Sequence, residues 1–334
     1  MDKKITLREV SDIYHQPFNK LLYQAQTIHQ KHFNNEIELC TLLSIKTGSC
    51  PEDCQYCPQS GHYNAKIKKE KLLDLDSIMA AAKKAKKLGA KRFCMGAAWR
   101  NPPDSKMPDI IKIIDAVKRL GLETCMTLGM LSTEQAKTLS SAGLDYYNHN
   151  LDSSEKFYQK IISTRSYQDR LKTLKAVSDV GIKVCCGGIL GMGECLEDRL
   201  EMLVVLANLD PKPQSVPINQ FMPIAGTPLG DRHQQADINK FDFIKIIALA
   251  RIIMPHSRIR LSAGRDNMSD EMQALCFLAG ANSIFYGDTL LTASNPSQTK
   301  DIQLLKSLGF VVEKTNQNNH NKSSHSRQYE ASQH

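Results

Sequence analysis

Cys50, Cys54 and Cys57 stand C-x3-C-x2-C within Lys46-Thr47-Gly48-Ser49-Cys50-Pro51-Glu52-Asp53-Cys54-Gln55-Tyr56-Cys57-Pro58. Thiolates hold iron–sulfur clusters, and a [4Fe–4S] cluster normally takes four of them. Three in one short loop leave one iron open. An open iron can chelate a ligand that carries both an amine and a carboxylate, as the methionine end of S-adenosylmethionine does. The competing reading is a zinc knot, in which C-x2-C pairs are common and a fourth ligand must lie close by. His62, five residues on, is the nearest candidate.

Three more cysteines fall in β-type runs: Cys94 in Arg92-Phe93-Cys94-Met95-Gly96, Cys125 in Glu123-Thr124-Cys125-Met126-Thr127, and Cys185 in Lys183-Val184-Cys185-Cys186-Gly187. Strand side chains alternate between faces, so Cys94 shares its face with Arg92, and Cys125 with Glu123. A charge turned into an apolar layer is costly unless paired, which directs this face toward a polar interior. The same alternation groups Arg258, Arg260 and Ser262. Taken singly, each cysteine reads as a small buried hydrophobe. Three converging on one interior read as ligands, and with one further group they could hold a second cluster, of the [2Fe–2S] kind. Spacing does not nominate an arginine for that place, because a guanidinium stays protonated and has no free lone pair. Alternation turns Cys186 away from the interior and Cys195 opens a helix, so neither is expected to be a ligand.

Asn148, Asn150 and Asp152 share one face of another strand-like run, with groups suited to a ribose hydroxyl or a cyclic urea; polar capping of a strand end is the alternative. Gly187–Glu194 is glycine-rich after a strand, yet it lacks the Lys-Ser/Thr ending of a P-loop and the full G-x-G-x-x-G pattern. It is expected to let the backbone, at Gly188, and Glu194 come close to a cofactor.

Positioning these groups falls to a repeated strand–helix pattern. Strands are predicted at 39–45, 92–96, 123–128, 144–151, 182–187, 215–221, 259–263 and 282–286. Helices are predicted at 76–88, 108–120, 133–142, 167–180, 196–208, 240–254 and 269–279, several ending at a glycine suited to a helix C-terminus. Eight strands with intervening helices predict a (β/α)8 TIM-type barrel, with its site at the strand carboxyl ends. The expected organisation is an N-terminal helical extension over 1–38, with a helix at 18–31 packing on the barrel, then the barrel over 39–314. A tail over 315–334, rich in Asn, Ser, Gln and His, is expected to be disordered and its His320, His325 and His334 solvated.

The chain has 334 residues, 41% of them hydrophobic, which fits one large α/β barrel. No stretch approaches the roughly 18 consecutive apolar residues of a membrane span. The amino terminus turns polar at once and lacks a secretory signal, so a cytoplasmic protein is expected. Ten cysteines in such a chain point to metal ligation or catalysis rather than to disulfides. The net charge of +8 is spread along the chain and aromatics are only 6%, which argues against nucleic acid. The run Lys83-Lys84-Ala85-Lys86-Lys87 reads as a solvated helix face.

The three-cysteine loop, with Tyr56 just before its last cysteine, resembles the radical S-adenosylmethionine superfamily. Further blocks narrow the likeness to the biotin synthase family: Phe93-Cys94-Met95-Gly96-Ala97-Ala98-Trp99, Cys125-Met126-Thr127-Leu128-Gly129, Tyr146-Tyr147-Asn148-His149-Asn150-Leu151-Asp152, Gly187–Glu194, Ser215-Val216-Pro217-Ile218-Asn219, Arg260-Leu261-Ser262-Ala263-Gly264-Arg265 and Ala279–Phe285, in that order. The similarity runs from about residue 5 to residue 312.

This resemblance implies a sulfurtransferase of biotin biosynthesis. A 5′-deoxyadenosyl radical from S-adenosylmethionine takes hydrogen from dethiobiotin, and sulfur from a [2Fe–2S] cluster is inserted. It implies that Cys50, Cys54 and Cys57 hold [4Fe–4S] and that Cys94, Cys125, Cys185 and Arg260 hold [2Fe–2S]. Tyr56, Asn150, Asp152, Gly188 and Glu194 would serve the cofactor, and Asn150 and Asn219 the substrate. It further implies a homodimer and an electron-donor protein of the flavodoxin or ferredoxin type, with neither nucleic acid nor membrane as partner. Two other readings differ in kind. Another radical enzyme on the same barrel, such as a lipoyl-type sulfur inserter, should carry a second clustered cysteine motif, which the sequence lacks. A non-enzymatic iron–sulfur or zinc protein would have no need of Cys94, Cys125 and Cys185.

Overall fold

Eight parallel strands close into a ring in the computed structural model, which describes residues 4–233 and 236–313. In chain order the strands are β1 (Glu36–Lys46), β2 (Arg92–Ala97), β3 (Glu123–Thr127), β4 (Tyr146–Asn148), β5 (Lys183–Cys185), β6 (Gly188–Leu190), β7 (Ser215–Gln220), β8 (Arg258–Leu261), β9 (Ser283–Phe285) and β10 (Val311–Val312). The ring runs β1-β2-β3-β4-β5-β7-β8-β9, and β9 pairs with β1 to close it. The short β6 pairs with β7 and carries on the path of β5 beyond a break at Cys186-Gly187. β10 pairs with the start of β1, outside the ring.

Alternation along these strands sorts the side chains as their chemistry requires. Phe93, Met95, Met126, Tyr147, Val184, Cys186, Val216, Ile218, Ile259, Leu261 and Ile284 belong to the apolar layer beneath the helices. The opposite face carries Cys94, Cys125 and Cys185 into the lumen, in a separate buried cluster with Cys40 and Tyr146. The expected helices are present, among them Leu75–Lys87 capped by Asp74, and Thr133–Ser141 and Tyr167–Asp179, each opened by a capping box. Helices Leu7–Tyr14 and Phe18–His32 pack on Lys240–Ile253, where Tyr14 Oη donates to Asp242 Oδ1 at 2.7 Å.

Three strand expectations change most, and one is the predicted 182–187, which is split into β5 and β6 by the break at Cys186-Gly187. The fourth strand covers 146–148 rather than 144–151, although His149 N still donates to Cys185 O and Leu151 N to Gly187 O, each at 3.0 Å, before the left-handed turn at Asp152 (φ 69°). The first strand begins at Glu36, ahead of the expected residue 39, and this brings Glu38 into the lumen. A run opening Glu36-Ile37-Glu38 looks too polar for a barrel interior; only the arginines of other strands make it possible. The tail expectations for 315–334 lie outside the described residues.

Candidate active site

Beyond β1 the backbone reverses through Gly48 and Ser49, both at positive φ, and the cysteine loop folds on its own main chain. Cys50 N donates to Gln59 O at 2.9 Å, Gly61 N to Cys50 O at 2.6 Å and Cys57 N to Cys54 O at 2.9 Å. Asp53 ties the loop to the far side of the barrel mouth. Burial pushes its carboxyl up, but hydrogen bonds from Ser163 and Thr164 outweigh this and hold it down at about 2. Cys50, Cys54 and Cys57 thereby line one side of a cavity of about 340 Å³ at the strand carboxyl ends. Burial pushes the Cys50 and Cys54 thiols up, against the pull of Arg165, and the Cys57 thiol up to about 12.

Across the cavity stand Asn148, His149, Asn150, Asp152 and Asn219. The Asp152 carboxylate accepts from Tyr56 Oη at 2.5 Å and pairs with Arg170 Nη2 at 2.6 Å. Arg170 also donates to Asn150 O at 2.5 Å and to Tyr158 Oη at 3.0 Å. A left-handed, non-glycine Asp152 costs on the order of 1–3 kcal/mol, and this network offsets it. Asn219 spends its amide on neighbouring backbone, donating to Gly188 O at 3.0 Å and accepting from Ala263 N at 3.2 Å. Buried His149 Nε2, Gln220 Oε1 and Ser262 Oγ line the cavity with no hydrogen-bond partner, as expected of a site that receives a polar ligand.

One strand step below Thr127 and Ser262, which line that cavity, lie Cys125 and Arg260. Cys40, Cys94, Cys125 and Cys185 lie in one buried cluster, from neighbouring strands in the case of Cys40, Cys94 and Cys125. The nearby Cys125 lowers the Cys185 thiol, helped by Arg260 and Arg92 against burial. Asn148 Nδ2 donates to Cys185 Sγ at 3.4 Å and to Asn150 Oδ1 at 3.1 Å, joining this layer to the cavity above. Beneath the thiols, Glu38 pairs with Arg92 Nη2 at 2.9 Å and with Arg260 Nη2 at 3.2 Å, all three side chains being buried. The charged lumen that the sequence predicted is therefore an internally paired one.

Both thiol sets fit clusters better than a single metal. Among the described residues no three His, Cys, Asp or Glu side chains lie close enough to hold one ion, whereas a cluster spreads its ligands over two or more irons. The zinc alternative also loses its fourth ligand. His62 is exposed and does not line the cavity, and its Nε2 is engaged with Pro51 O at 2.9 Å.

Two expected cofactor residues stand off the cavity. Glu194 accepts from Gly191 N and Met192 N, each at 2.7 Å, and pairs with Arg199 at 2.6 Å, so it shapes its own loop. Glycine is needed at 187 and 188 for close packing of protein on protein. A Cβ on Gly188 would lie 2.1 Å from Met202 Sδ and 2.8 Å from Asp152 O; one on Gly187 would lie 1.9 Å from Pro217 O. Gly187→Ala must therefore move β7 or break β5, and should lower the urea midpoint by the equivalent of about 1–3 kcal/mol.

Sequence reasoning missed Arg165, Arg170, Cys40 and Glu38. Arg165, whose Nη2 lies 3.6 Å from Cys54 Sγ, and Arg170 come from the segment around a helix start, where nothing in the spacing marks them. Cys40 and Glu38 did carry a signal: Glu38-x-Cys40 repeats the charge-x-cysteine pattern of Arg92-x-Cys94 and Glu123-x-Cys125.

Comparison with known proteins adds three findings. A family model described as the radical SAM superfamily matches residues 44–206, and one described as the Biotin and Thiamin Synthesis associated domain matches residues 217–311. Both stretches contribute strands to the one ring. Biotin synthase of Marinobacter nauticus is 59% identical over 313 residues, covering 93% of this chain and 88% of that one. Biotin synthase of Coxiella burnetii is 59% identical over 304 residues, covering 91% of this chain and 94% of that one. Among solved structures, methylornithine synthase superposes with a TM-score of 0.78 at 18% identity, covering 94% of this chain and 96% of that one. The FeFe-hydrogenase maturase of Carboxydothermus hydrogenoformans superposes with a TM-score of 0.79 at 18% identity, over 93% and 76%. At such identities these two structures speak for the barrel alone.

Proposed function

The chain belongs to the biotin synthase family, and on that premise we propose how its residues divide the reaction. It is a radical S-adenosylmethionine sulfurtransferase that makes biotin from dethiobiotin. When bound, the [4Fe–4S] cluster with S-adenosylmethionine supplies a 5′-deoxyadenosyl radical, and the [2Fe–2S] cluster supplies the sulfur.

In this reading Cys50, Cys54 and Cys57 hold the first cluster, and Cys94, Cys125, Cys185 and Arg260 hold the second. Tyr56, Asn150 and Asp152 face the adenosyl group; Arg170 fixes Asp152 and the Asn150 backbone so that both present one geometry. Asn150 and Asn219 edge the space for dethiobiotin, Asn219 by bracing the strands on either side. The observation that carries the reading is the stacking of the two thiol sets: loop sulfurs line the mouth of the cavity, and strand sulfurs lie one layer beneath its floor.

The test is anaerobic protein carrying both clusters, given S-adenosylmethionine, dethiobiotin and a reductant. Biotin is the expected product, and its absence with both clusters verified would overturn the reading. Cys94→Ala/Cys125→Ala removes the two middle thiols of the layer. It should lose the second cluster, read as iron, sulfide and absorption, while 5′-deoxyadenosine continues to form and biotin does not.

The same proposal includes a homodimer, fed by an electron donor of the flavodoxin or ferredoxin type and working in the cytoplasm. The described cysteines are all free, which supports a reducing compartment. No helix among the described residues is long and apolar enough to cross a membrane.

A further inference from the structure

Cys40 is a fully buried thiol that nothing above uses. It lies on β1, beside β2, in the same buried lumen cluster as Cys94, Cys125 and Cys185. Arg260 Nη2 is 3.0 Å from Cys40 Sγ, whereas Arg260 Nη1 is 3.9 Å from Cys185 Sγ. One oxygen, Glu38 Oε1, receives Cys40 Sγ at 3.2 Å, Arg260 Nη2 at 3.2 Å and Ser283 Oγ at 2.8 Å. Arg260 Nε also donates to Ser283 Oγ at 3.0 Å.

Two features of this arrangement matter. The guanidinium is held by a carboxylate and a hydroxyl that favour its charged form, and in that form it has no lone pair to give to iron. The sulfur beside it does. With Cys40 the lumen layer contains four thiols, the number of protein ligands that a [2Fe–2S] cluster ordinarily takes.

We propose that Cys40 is a fourth protein ligand for the second cluster, exchangeable with Arg260, so that this chain can hold that cluster by four thiolates. The inference rests on the assignment of the strand cysteines to that cluster. In the exchange an iron–sulfur bond to Cys40 forms and the bond from iron to Arg260 breaks. The thiol proton passes to the departing guanidine, so charge is conserved and no oxidant or reductant is consumed. Arg260 then stays as the positive partner of Glu38 beneath the cluster.

The experiment compares Arg260→Met with Cys40→Ser/Arg260→Met after anaerobic reconstitution, reading iron and acid-labile sulfide per chain and the visible absorption of the second cluster. Arg260→Met should keep at least half of the second-cluster iron, and adding Cys40→Ser should lower that iron at least fivefold. Equal content in the two variants, or loss of the cluster in Arg260→Met alone, overturns the proposal. Because Arg260→Met strips Glu38 of one partner, the same pair is also made with Glu38→Gln, which removes both charges and leaves Arg92 to Glu123. The same fivefold drop is expected in that background, and no drop there overturns the proposal as well. Failure of the underlying assignment looks different: Cys94→Ala/Cys125→Ala would then keep the second cluster.

Discussion

Cys54→Ser should reduce the formation of 5′-deoxyadenosine to background, a fall of at least about a hundredfold, since even the outer partners of metal ligands are worth 10–100-fold. Biotin formation should disappear with it. A hydroxyl is close to a thiol in size, but it does not become an anionic ligand near neutral pH, so the loop would hold its cluster by two sulfurs. The loop itself should survive. Its shape comes from main-chain hydrogen bonds at Cys50, Cys57 and Gly61 and from the Asp53 carboxylate on Ser163 and Thr164, none of which uses the Cys54 sulfur. The second cluster, held from the strands, should remain, with its iron and sulfide intact. The measurement is 5′-deoxyadenosine per chain under reducing, anaerobic conditions, beside iron content. Cleavage near the wild-type rate would show that the loop is not the radical-generating site.

Glu38→Gln should destabilise the fold by about 3–5 kcal/mol, the usual consequence of removing one partner from a buried ion pair. Glu38, Arg92 and Arg260 are each at most 1% exposed, so the arginines cannot turn to water for compensation. Arg92 would keep the Glu123 carboxylate, at 3.3 Å and partly exposed, and the face of Tyr146, and Arg260 would keep Ser283, the sulfurs and the face of Phe285, with no carboxylate among these. The pH dependence has a definite sign. Burial pushes the Glu38 carboxyl up, but Arg92 and Arg260 outweigh it and hold it well below its ordinary 4.5. A carboxyl depressed in the folded state stabilises at all pH above its unfolded value, and that contribution fades as pH falls toward the folded one. Urea unfolding should therefore show a large gap between variant and wild type at pH 7 that narrows below about pH 4. A variant as stable as wild type at neutral pH would mean that water or local rearrangement reaches the pair.

Much of this architecture was legible because it depends on local rules. Alternation assigned Cys94, Cys125 and Cys185 to the lumen and Cys186 to the apolar layer. Glycines after the helices marked the ends of several βα units, and five of them, from Gly89 to Gly280, do sit at positive φ. Boundaries were less legible where tertiary partners decide them. The segment after β4 turns at Asp152, which Arg170 and Tyr56 hold, and β1 starts early because Arg92 and Arg260 make a buried Glu38 tolerable. Glu194 illustrates the opposite error. A carboxylate beside a glycine-rich turn reads as a ligand group, yet two main-chain N–H groups and Arg199 already use it.

By itself, the sequence determined which sulfurs could act and on which face each would lie, because thiol chemistry and strand periodicity are properties of residues and their spacing. The tertiary structure alone decided which groups surround those sulfurs. Arg165 and Arg170 reach the cavity from a distant helix start, and Cys40 meets Arg260 only because β1 closes the ring against β9, the neighbour of β8. The physical reason is that hydrogen bonds and Coulomb forces act across a few ångströms of space, and closure of the barrel brings together residues more than two hundred positions apart.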